Sequence, residues 1–160
     1  MSRCIIYHSH SGATRRIAKK LKVACGGDLI EVMPRKKYNA LTLYLLGGYR
    51  ALKDAEDPIE QKKIDVARYD MIVLGSPVWA GKPTPAINAA IAALRGCEGK
   101  TAIIFATCKS NPGQTVGILR KRLETMGIKV IGVFVFTQAD RKDGKKLNEL
   151  IVSVNASMTE

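Results

Sequence analysis

Four short runs of apolar, mostly β-branched residues divide the chain and constrain its fold more than any other feature. They lie at residues 4–7, 71–74, 101–105 and 130–136, and a weaker run follows the first of them at residues 29–32. Nearly continuous apolar runs of this length are typical of strands that are buried on both faces. The sequence therefore predicts five strands in a covered sheet.

Helical patterns separate these strands. Apolar residues recur at helical spacing in residues 13–24, and further helical patterns lie at residues 85–94, 116–126 and 145–154. Because strands and helices alternate, we expect right-handed βαβ units, which give a parallel sheet with helices on both faces. The predicted fold is an α/β/α sandwich of three layers around a five-stranded parallel sheet of order 2-1-3-4-5.

The interval at residues 34–68 is longer than a simple crossover between two strands. It contains an aromatic helical stretch at residues 38–52, which we expect Gly47-Gly48 to interrupt, and a polar tail at residues 54–65. We interpret it as a helix followed by a surface excursion, and a lobe that docks a partner is the alternative. The whole chain, residues 1–160, fits one domain with a single core.

Composition and charge exclude several classes of protein. No leader sequence follows Met1, and the apolar residues 41–46 are too few to span a membrane, so we expect a cytoplasmic protein. The four cysteines lack C-x-x-C or zinc-like spacing, so we expect reduced thiols. The net charge of +12 is spread along the chain without a basic tail. This pattern argues against a nucleic-acid module and favours weak attraction to acidic partners.

The loop after the first strand has the residues of a phosphate site. Ligands of an open parallel sheet bind beyond the carboxyl ends of its strands, where the strand order reverses. This loop leads into a helix, whose N-terminal N–H groups favour an anion. The hydroxyl groups of Ser9, Ser11 and Thr14 can donate hydrogen bonds to phosphate oxygens. Gly12 would let the backbone turn tightly beneath them.

Other phosphate and metal sites find less support. The chain contains neither G-x-x-x-x-G-K-[ST] nor G-x-G-x-x-G, which argues against nucleotide hydrolysis and a Rossmann NAD site. A phospho-receiver would need acidic residues where the first strand ends in His8 and Ser9. His8 and His10 would share a face, but without a carboxylate or cysteine they are an incomplete metal-ligand set. We therefore interpret them as basic groups near a phosphate and predict no metal.

The loops after the third and fourth strands have features that suit a flat ring. Residues 75–83 contain the only tryptophan, Trp79, in a Pro/Gly-rich loop where it could stack on a ring; packing in the core is the alternative. Residues 106–113 offer amides and hydroxyls to a polar ring edge, or form a plain strand-to-helix turn. Cys108, in this loop, could serve either packing or contact.

Together the three loops resemble those of the flavodoxin family, particularly its short-chain and flavodoxin-like members. The resemblance covers nearly the whole chain and is strongest in the first loop and in residues 69–81, YDMIVLGSPVWAG. It implies a flavodoxin-like fold with non-covalently bound FMN. The phosphate would lie among Ser9, His10, Ser11, Gly12, Ala13 and Thr14; the isoalloxazine would border Pro77, Val78, Trp79, Ala80, Gly81 and Lys82; Thr107, Cys108, Lys109 and Gly113 would complete the pocket.

Two expectations about the flavin ring follow. Many flavodoxins are acidic around the ring, whereas the loops here offer Lys82 and Lys109 and no acidic residue. We therefore expect a less negative environment, so that changing both lysines to glutamine should lower the reduction potential. We also hypothesise that a peptide within residues 79–81 bonds the reduced ring, and that Gly81 allows the backbone to reorient.

The resemblance implies an electron carrier, because the flavin supplies the redox chemistry and the protein tunes it. Its redox partners should be acidic proteins, ferredoxin-like or a reductase, with NAD(P)H or a quinone as further candidates. The alternative is an FMN-dependent NAD(P)H oxidoreductase of the quinone-reductase type, although the chain has no separate nicotinamide domain. The second alternative is a non-redox module that binds a phosphate ligand or a partner.

Overall fold

The computed structural model describes residues 1–157, in which strands and helices alternate from the first strand onward. In chain order the elements are β1 (Arg3–Tyr7), α1 (Ala13–Cys25), β2 (Asp28–Glu31), α2 (Ala40–Thr42), a π-helical turn (Leu43–Gly47), α3 (Gly48–Leu52), β3 (Ile64–Asp65), β4 (Met71–Trp79), β5 (Lys82–Pro83), α4 (Pro85–Ala93), β6 (Leu94–Arg95), β7 (Thr101–Thr107), α5 (Thr115–Thr125), β8 (Lys129–Phe136), α6 (Asp140–Asp143) and α7 (Lys145–Ala156).

The central sheet has the order β2-β1-β4-β7-β8, and all four of these pairings are parallel. When the two-residue strands are set aside, this is the predicted order 2-1-3-4-5, which is therefore confirmed. The short strand β5 extends the sheet locally by pairing antiparallel with the end of β4. Strands β3 and β6 form a separate parallel pair.

Alternate residues of the strands pack into two cores, one on each face of the sheet. On one face, Ile5 and Val73 lie with residues of α1 and α7 such as Leu21 and Leu150. On the other face, strand residues that include Cys4 pack with side chains of α4 and α5. Cys4 is fully buried, as expected of a core residue. The sheet is thus covered on both faces, and the three-layer prediction is confirmed.

Helix α4 ends one residue before the predicted boundary. Thr84 caps its N-terminus by accepting a hydrogen bond from the Ile87 N–H, and Pro85 occupies the first turn, where its missing N–H costs nothing. The predicted helix includes Leu94, but Leu94 is extended because it pairs with Ile64 in the β3–β6 ladder. Tertiary pairing therefore overrides the local helical pattern there.

The expectation that Gly47-Gly48 would interrupt the aromatic helix is wrong. Both glycines have right-handed helical dihedrals, and the helical path runs through them by way of the π-helical turn. A Cβ on Gly47 would lie only 3.1 Å from the Trp79 ring. Gly47 therefore serves the close approach of the helix to Trp79. No helix within residues 1–157 has the length and apolarity that crossing a membrane requires.

Candidate functional site

The structure brings the three predicted loops together at the carboxyl edge of β1, β4 and β7. The Gln114 N–H donates to the Gly81 carbonyl oxygen at 2.7 Å, which joins the second loop to the third. A Cβ on Gly113 would lie 2.6 Å from the Gly81 Cα, so the two backbones are in direct contact. The Thr14 and Thr107 hydroxyls lie 2.7 Å apart and join the first loop to the third. The predicted site residues are therefore carried by loops that share one edge of the sheet.

The first loop turns sharply at Gly12 before α1 begins at Ala13. Gly12 has a φ of 96°, which favours glycine, and no atom lies within 4 Å of the place its Cβ would occupy. The Gly12 N–H donates to Ser9 Oγ at 3.1 Å, so Ser9 shapes the loop and keeps its own hydroxyl hydrogen for another acceptor. Ser11 is exposed. The turn at Gly12 thus leaves open space beside the start of α1, where an anion could be bound.

The Thr14 hydroxyl is less accessible than the sequence suggests. Thr14 and Thr107 are both buried, and their hydroxyl groups bond each other. One hydrogen is used between the two oxygens, which leaves a single hydroxyl hydrogen to donate elsewhere. The pair therefore fixes the distance between the first and third loops and offers one donor.

The two histidines differ in environment and in charge. His8 is buried, and its Nδ1 lies 2.9 Å from Thr84 Oγ1. Burial, and then repulsion from His10, lower the pKa of His8 to about 4, so its ring is uncharged at neutral pH. The interpretation of His8 as a basic group is therefore wrong, because its ring packs behind the loop as a neutral side chain. His10 is exposed at the loop surface.

Trp79 is the last residue of β4 and is half-buried. Three rings stand nearly perpendicular to its indole, those of His8, His10 and Tyr38, with centroid distances of 5.7, 6.0 and 5.3 Å. Edge-to-face pairs at such distances are a favourable aromatic arrangement. Trp79 therefore lies in an aromatic cluster at the ligand end of the sheet, outside the two buried cores.

A two-residue hairpin turn follows Trp79. Val78 pairs with Pro83 and Trp79 pairs with Lys82, so Ala80 and Gly81 form the turn between them. Both turn residues have positive φ, 51° and 74°, as a type I′ turn requires. Since the Gly81 carbonyl is held by Gln114, the peptides at Trp79 and Ala80 remain as candidates for the hydrogen bond to a ring that we hypothesise.

The sequence can be assigned to a family once these loops are compared with known proteins. The family model described as Flavodoxin matches residues 3–153, which is nearly the whole chain. The chain belongs to the flavodoxin family. The resemblance noted in the sequence is therefore confirmed, and with it the flavodoxin-like fold. No curated protein sequence matches the chain at a significant level.

Solved flavoprotein structures superpose on this chain over most of its length. A flavoprotein of Bacteroides uniformis is 27% identical, with a TM-score of 0.76, and the match covers 92% of this chain and 97% of that one. A Lactobacillus acidophilus flavoprotein in complex with FMN is 22% identical, with a TM-score of 0.72 and the same coverages. The two-electron reduced flavodoxin of Megasphaera elsdenii is 18% identical, with a TM-score of 0.63, covering 96% and 98%. The last two likenesses concern the fold alone.

Tyr38 lies at the candidate site through its contact with Trp79, which the sequence did not indicate. Its hydroxyl donates to Asp57 Oδ2 at 2.6 Å, while the Arg50 Nε donates to the other oxygen at 2.7 Å. Burial and the bond to Asp57 raise the pKa of Tyr38 to about 12, so the phenol stays protonated. The aromatic stretch at residues 38–52 was visible, but nothing in its spacing indicates contact with Trp79.

The two lysines near the ring loops are not equivalent. Lys82 Nζ lies 2.8 Å from Asp54 Oδ2 and 3.2 Å from the Leu52 carbonyl oxygen. The loops themselves contain no acidic residue, as expected from the sequence, but residues 34–68 supply Asp54 beside Lys82. Lys109 is exposed, and its carbonyl accepts a hydrogen bond from the Gln138 N–H. Cys108 beside it is buried, and burial raises the pKa of its thiol.

Proposed function

We propose that this flavodoxin binds FMN non-covalently at the three loops and carries electrons between redox proteins. The observation that carries the proposal is the meeting of three features at one edge of the sheet. These are the N-terminus of α1, the half-buried Trp79, and the Gly81–Gly113 contact that joins the second and third loops. A helix N-terminus suits the phosphate, and a large aromatic side chain suits the ring.

The residues present fit such a cofactor. The open space at Gly12 leaves room for a phosphate against the first turn of α1, and the Ser9 and Ser11 hydroxyls lie on the same loop. Neutral His8 adds no charge there. When bound, FMN supplies the redox chemistry, and the loops hold and orient it. Membership of the flavodoxin family and the FMN-bound Lactobacillus acidophilus structure support this assignment.

Of the two lysines, Lys109 should affect the reduction potential of the bound flavin more. The ammonium of Lys82 is paired with Asp54, so the two charges largely offset each other toward a ligand in the site. Lys109 is exposed on the third loop. We therefore expect Lys109→Gln to lower the reduction potential more than Lys82→Gln does.

Net charge supports acidic redox partners. The chain carries a net charge of +12, and oppositely charged proteins associate faster with it than neutral ones do. Ferredoxin-like proteins and reductases with acidic surfaces are therefore the proposed donors and acceptors. Their rates of electron exchange with this flavodoxin should decline as salt screens the charges.

Comparison of FMN with riboflavin tests the cofactor assignment. We expect FMN to bind at least tenfold more tightly, since only FMN places a phosphate at α1, as measured by quenching of flavin fluorescence. Ser11→Ala should weaken FMN binding several-fold and leave riboflavin binding unchanged. Ser153→Ala on α7 is the matched control and should change neither. Equal binding of the two flavins by the wild-type protein would contradict the phosphate site.

Turnover with NADPH separates the carrier from the oxidoreductase. We expect the FMN-loaded protein to oxidise NADPH slowly in the presence of a quinone, while exchanging electrons rapidly with a protein partner. Steady, rapid NADPH–quinone turnover would make it an FMN-dependent oxidoreductase instead. Failure of the protein to bind any flavin would favour the alternative of a non-redox module.

A further inference from the structure

A group of large apolar side chains lies exposed on the helical segment between β2 and β3. They are six in number and from 48% to 87% exposed: Leu41, Tyr44, Leu45, Leu46, Tyr49 and Leu52. We call this group the apolar face. Scattered surface leucines are ordinary, but a concentration of this kind in twelve consecutive residues typically marks an interaction site.

The apolar face points outward because the opposite side of the segment packs on the site. Gly47 and Ala51 are buried, and Gly47 lies against Trp79 with no room for a larger side chain. Tyr38, which precedes the segment, contacts Trp79 as well. The apolar face is therefore the outer surface of a layer one helix thick that covers the proposed flavin loop.

Basic residues flank the apolar face. Residues 34–53 contain five of them and no acidic residue: Arg35, Lys36, Lys37, Arg50 and Lys53. Arg50 is already paired with Asp57, whereas Lys36, Lys37 and Lys53 are exposed. A groove of about 740 Å³ is lined by the basic residues 35–37, Arg50 and Leu46, and at one side by the acidic residues Glu56 and Asp57, of which Asp57 is paired with Arg50. An apolar area beside cationic groups can thus receive a partner of opposite charge.

We propose that the apolar face and its basic flank form the docking surface for an acidic redox protein. The partner would place apolar side chains on Tyr44, Leu45 and Tyr49, and carboxylates against Lys36 and Lys37. This proposal rests on the proposed function, since it names the partner's chemistry at the same site. An apolar centre with a charged rim is the usual composition of a protein–protein interface. A partner on this face would be separated from Trp79 by one helix, a distance of about 10 Å, which is short enough for electron exchange with a flavin at Trp79.

Charge and shape argue for this occupant over two others. A second copy of this chain would bring two basic flanks together, each on a protein of charge +12, and repulsion would oppose that dimer. A membrane surface would be contacted by a short helical segment that includes a π-helical turn and two glycines, rather than by a long regular amphipathic helix. A protein with carboxylates around an apolar patch meets neither difficulty.

An acidic bacterial ferredoxin is the probe for the apolar face. Its affinity for the FMN-loaded flavodoxin is measured by calorimetry, and its electron exchange by stopped-flow absorbance. We expect the double variant Leu45→Ser/Tyr49→Ser to lower the affinity at least tenfold. The matched control, Val23→Ser/Val152→Ser, changes two exposed apolar residues on α1 and α7 and should alter affinity less than twofold. FMN affinity should stay at the wild-type value in both.

A pair of charge reversals tests the basic flank. Lys36→Glu/Lys37→Glu should slow electron exchange at least tenfold at low salt and flatten its salt dependence. Lys121→Glu/Lys129→Glu changes the net charge of the protein by the same amount at two exposed lysines elsewhere on the surface, and it should slow exchange much less. Equal effects of the two pairs would show that overall charge, rather than this surface, attracts the partner, and would overturn the proposal.

Other results would overturn it in distinguishable ways. Failure of the wild-type protein to bind the ferredoxin, or unchanged affinity of the Leu45→Ser/Tyr49→Ser variant, would remove the docking surface while FMN binding stands. Loss of binding to phosphatidylglycerol vesicles in that variant, with ferredoxin binding intact, would assign the face to a membrane. A wild-type dimer in sedimentation that this variant abolishes would assign it to self-association. Absence of FMN binding in the wild-type protein would instead defeat the proposed function itself.

Discussion

The three loops at the sheet edge and the segment at residues 34–58 are built in different ways, although both border Trp79. The loops are short continuations of buried strands, and backbone contacts between Gly81, Gly113 and Gln114 join them. The segment is closed at its ends by an isolated bridge from Pro34 to Ile59, and side-chain contacts hold the rest: Asp57 with Tyr38 and Arg50, and Asp54 with Lys82. The loops are therefore suited to hold a cofactor in one geometry, whereas the segment can present a partner surface without disturbing that geometry.

Acidification should give the largest effect, through the buried His8 behind the first loop. Its pKa falls from 6.5 in the unfolded chain to about 4 in the folded one, because burial and His10 disfavour the charged ring. The unfolded state therefore binds the extra proton first. The contribution of neutral His8 to stability is fully present above pH 6.5 and is lost as the pH falls toward 4, by up to about 3 kcal/mol.

Urea denaturation between pH 8 and pH 4 measures this loss. His8→Asn keeps a polar group near Thr84 and removes the titration, so its stability should depend far less on pH in this range. His10→Asn, at an exposed position, should retain most of the wild-type slope. If the unfolding free energy of His8→Asn depended on pH as strongly as that of the wild type, groups other than His8 would cause the acid sensitivity. Burial of His8 behind the first loop would then not destabilise the protein in acid.

Gly113→Ala should give the next largest effect, by separating the second and third loops. The new Cβ would lie 2.6 Å from the Gly81 Cα and 2.7 Å from its carbonyl oxygen, and a backbone of φ 55° disfavours alanine. We expect a loss of about 2 kcal/mol in the free energy of unfolding. FMN affinity should fall at least tenfold, as measured by fluorescence titration.

Gly117→Ala in α5 is the control for this change. Its Cβ would meet no atom within 4 Å, and alanine favours a helix, so stability should hold or rise. If Gly113→Ala bound FMN as tightly as the wild type, the contact between the second and third loops would not be needed to hold the cofactor. The loops would then differ less from residues 34–58 than we infer.

The sequence predicted the sheet well because its signal is local and strong. Runs such as Met71–Leu74 can be buried on both faces only as central strands, and the alternating helices then fix a parallel order. The loops followed from that order, since ligand sites lie at the carboxyl ends of the strands. Helix ends were less secure, as Leu94 shows, because a ladder with Ile64 decides its conformation.

The sequence indicated the helical stretch within residues 34–68 but not how this segment packs against the ring loops. The Tyr38–Trp79 and Asp54–Lys82 contacts join residues far apart in the chain, and they depend on the path that the crossover takes over the sheet edge. No periodicity encodes that path. The predicted interruption at Gly47-Gly48 was wrong because glycine can either break a helix or permit close packing. Which of the two applies here depends on Trp79, which is distant in the sequence and lies against Gly47.

Asp57→Ala should loosen residues 34–58 selectively. The Asp57 carboxylate is 9% exposed and accepts from both Tyr38 and Arg50, so its loss leaves two donors unpaired. We expect a local cost of about 1–2 kcal/mol, observed as faster amide exchange in residues 36–53 and faster tryptic cleavage at Lys36 and Lys37.

Asp65→Ala is the matched control, because the ion pair of Asp65 with Lys63 is more than half exposed. Because water screens an exposed ion pair, its removal should leave exchange in residues 36–53 unchanged. Should Asp57→Ala accelerate exchange equally in β1 and β4, the segment would be part of the same cooperative unit as the sheet, and the comparison would fail.

The smallest effect concerns Ala80, where the loops carry a local strain. Ala80 has a φ of 51° in the two-residue turn, and the left-handed region disfavours a residue with an ordinary Cβ. Asn-Gly is the preferred pair for a type I′ turn, so Ala80→Asn should raise the free energy of unfolding by less than about 1 kcal/mol. The same change at the exposed helical Ala92 should lower it by a similar amount, because asparagine is the poorer helix former.

Thermal unfolding of the two variants shows whether each change raises or lowers the stability of the protein. A gain in stability with unchanged FMN affinity would mean that the strain at Ala80 is incidental, whereas a gain with weaker FMN binding would mean that the strained turn holds the Trp79 and Ala80 peptides ready for the ring.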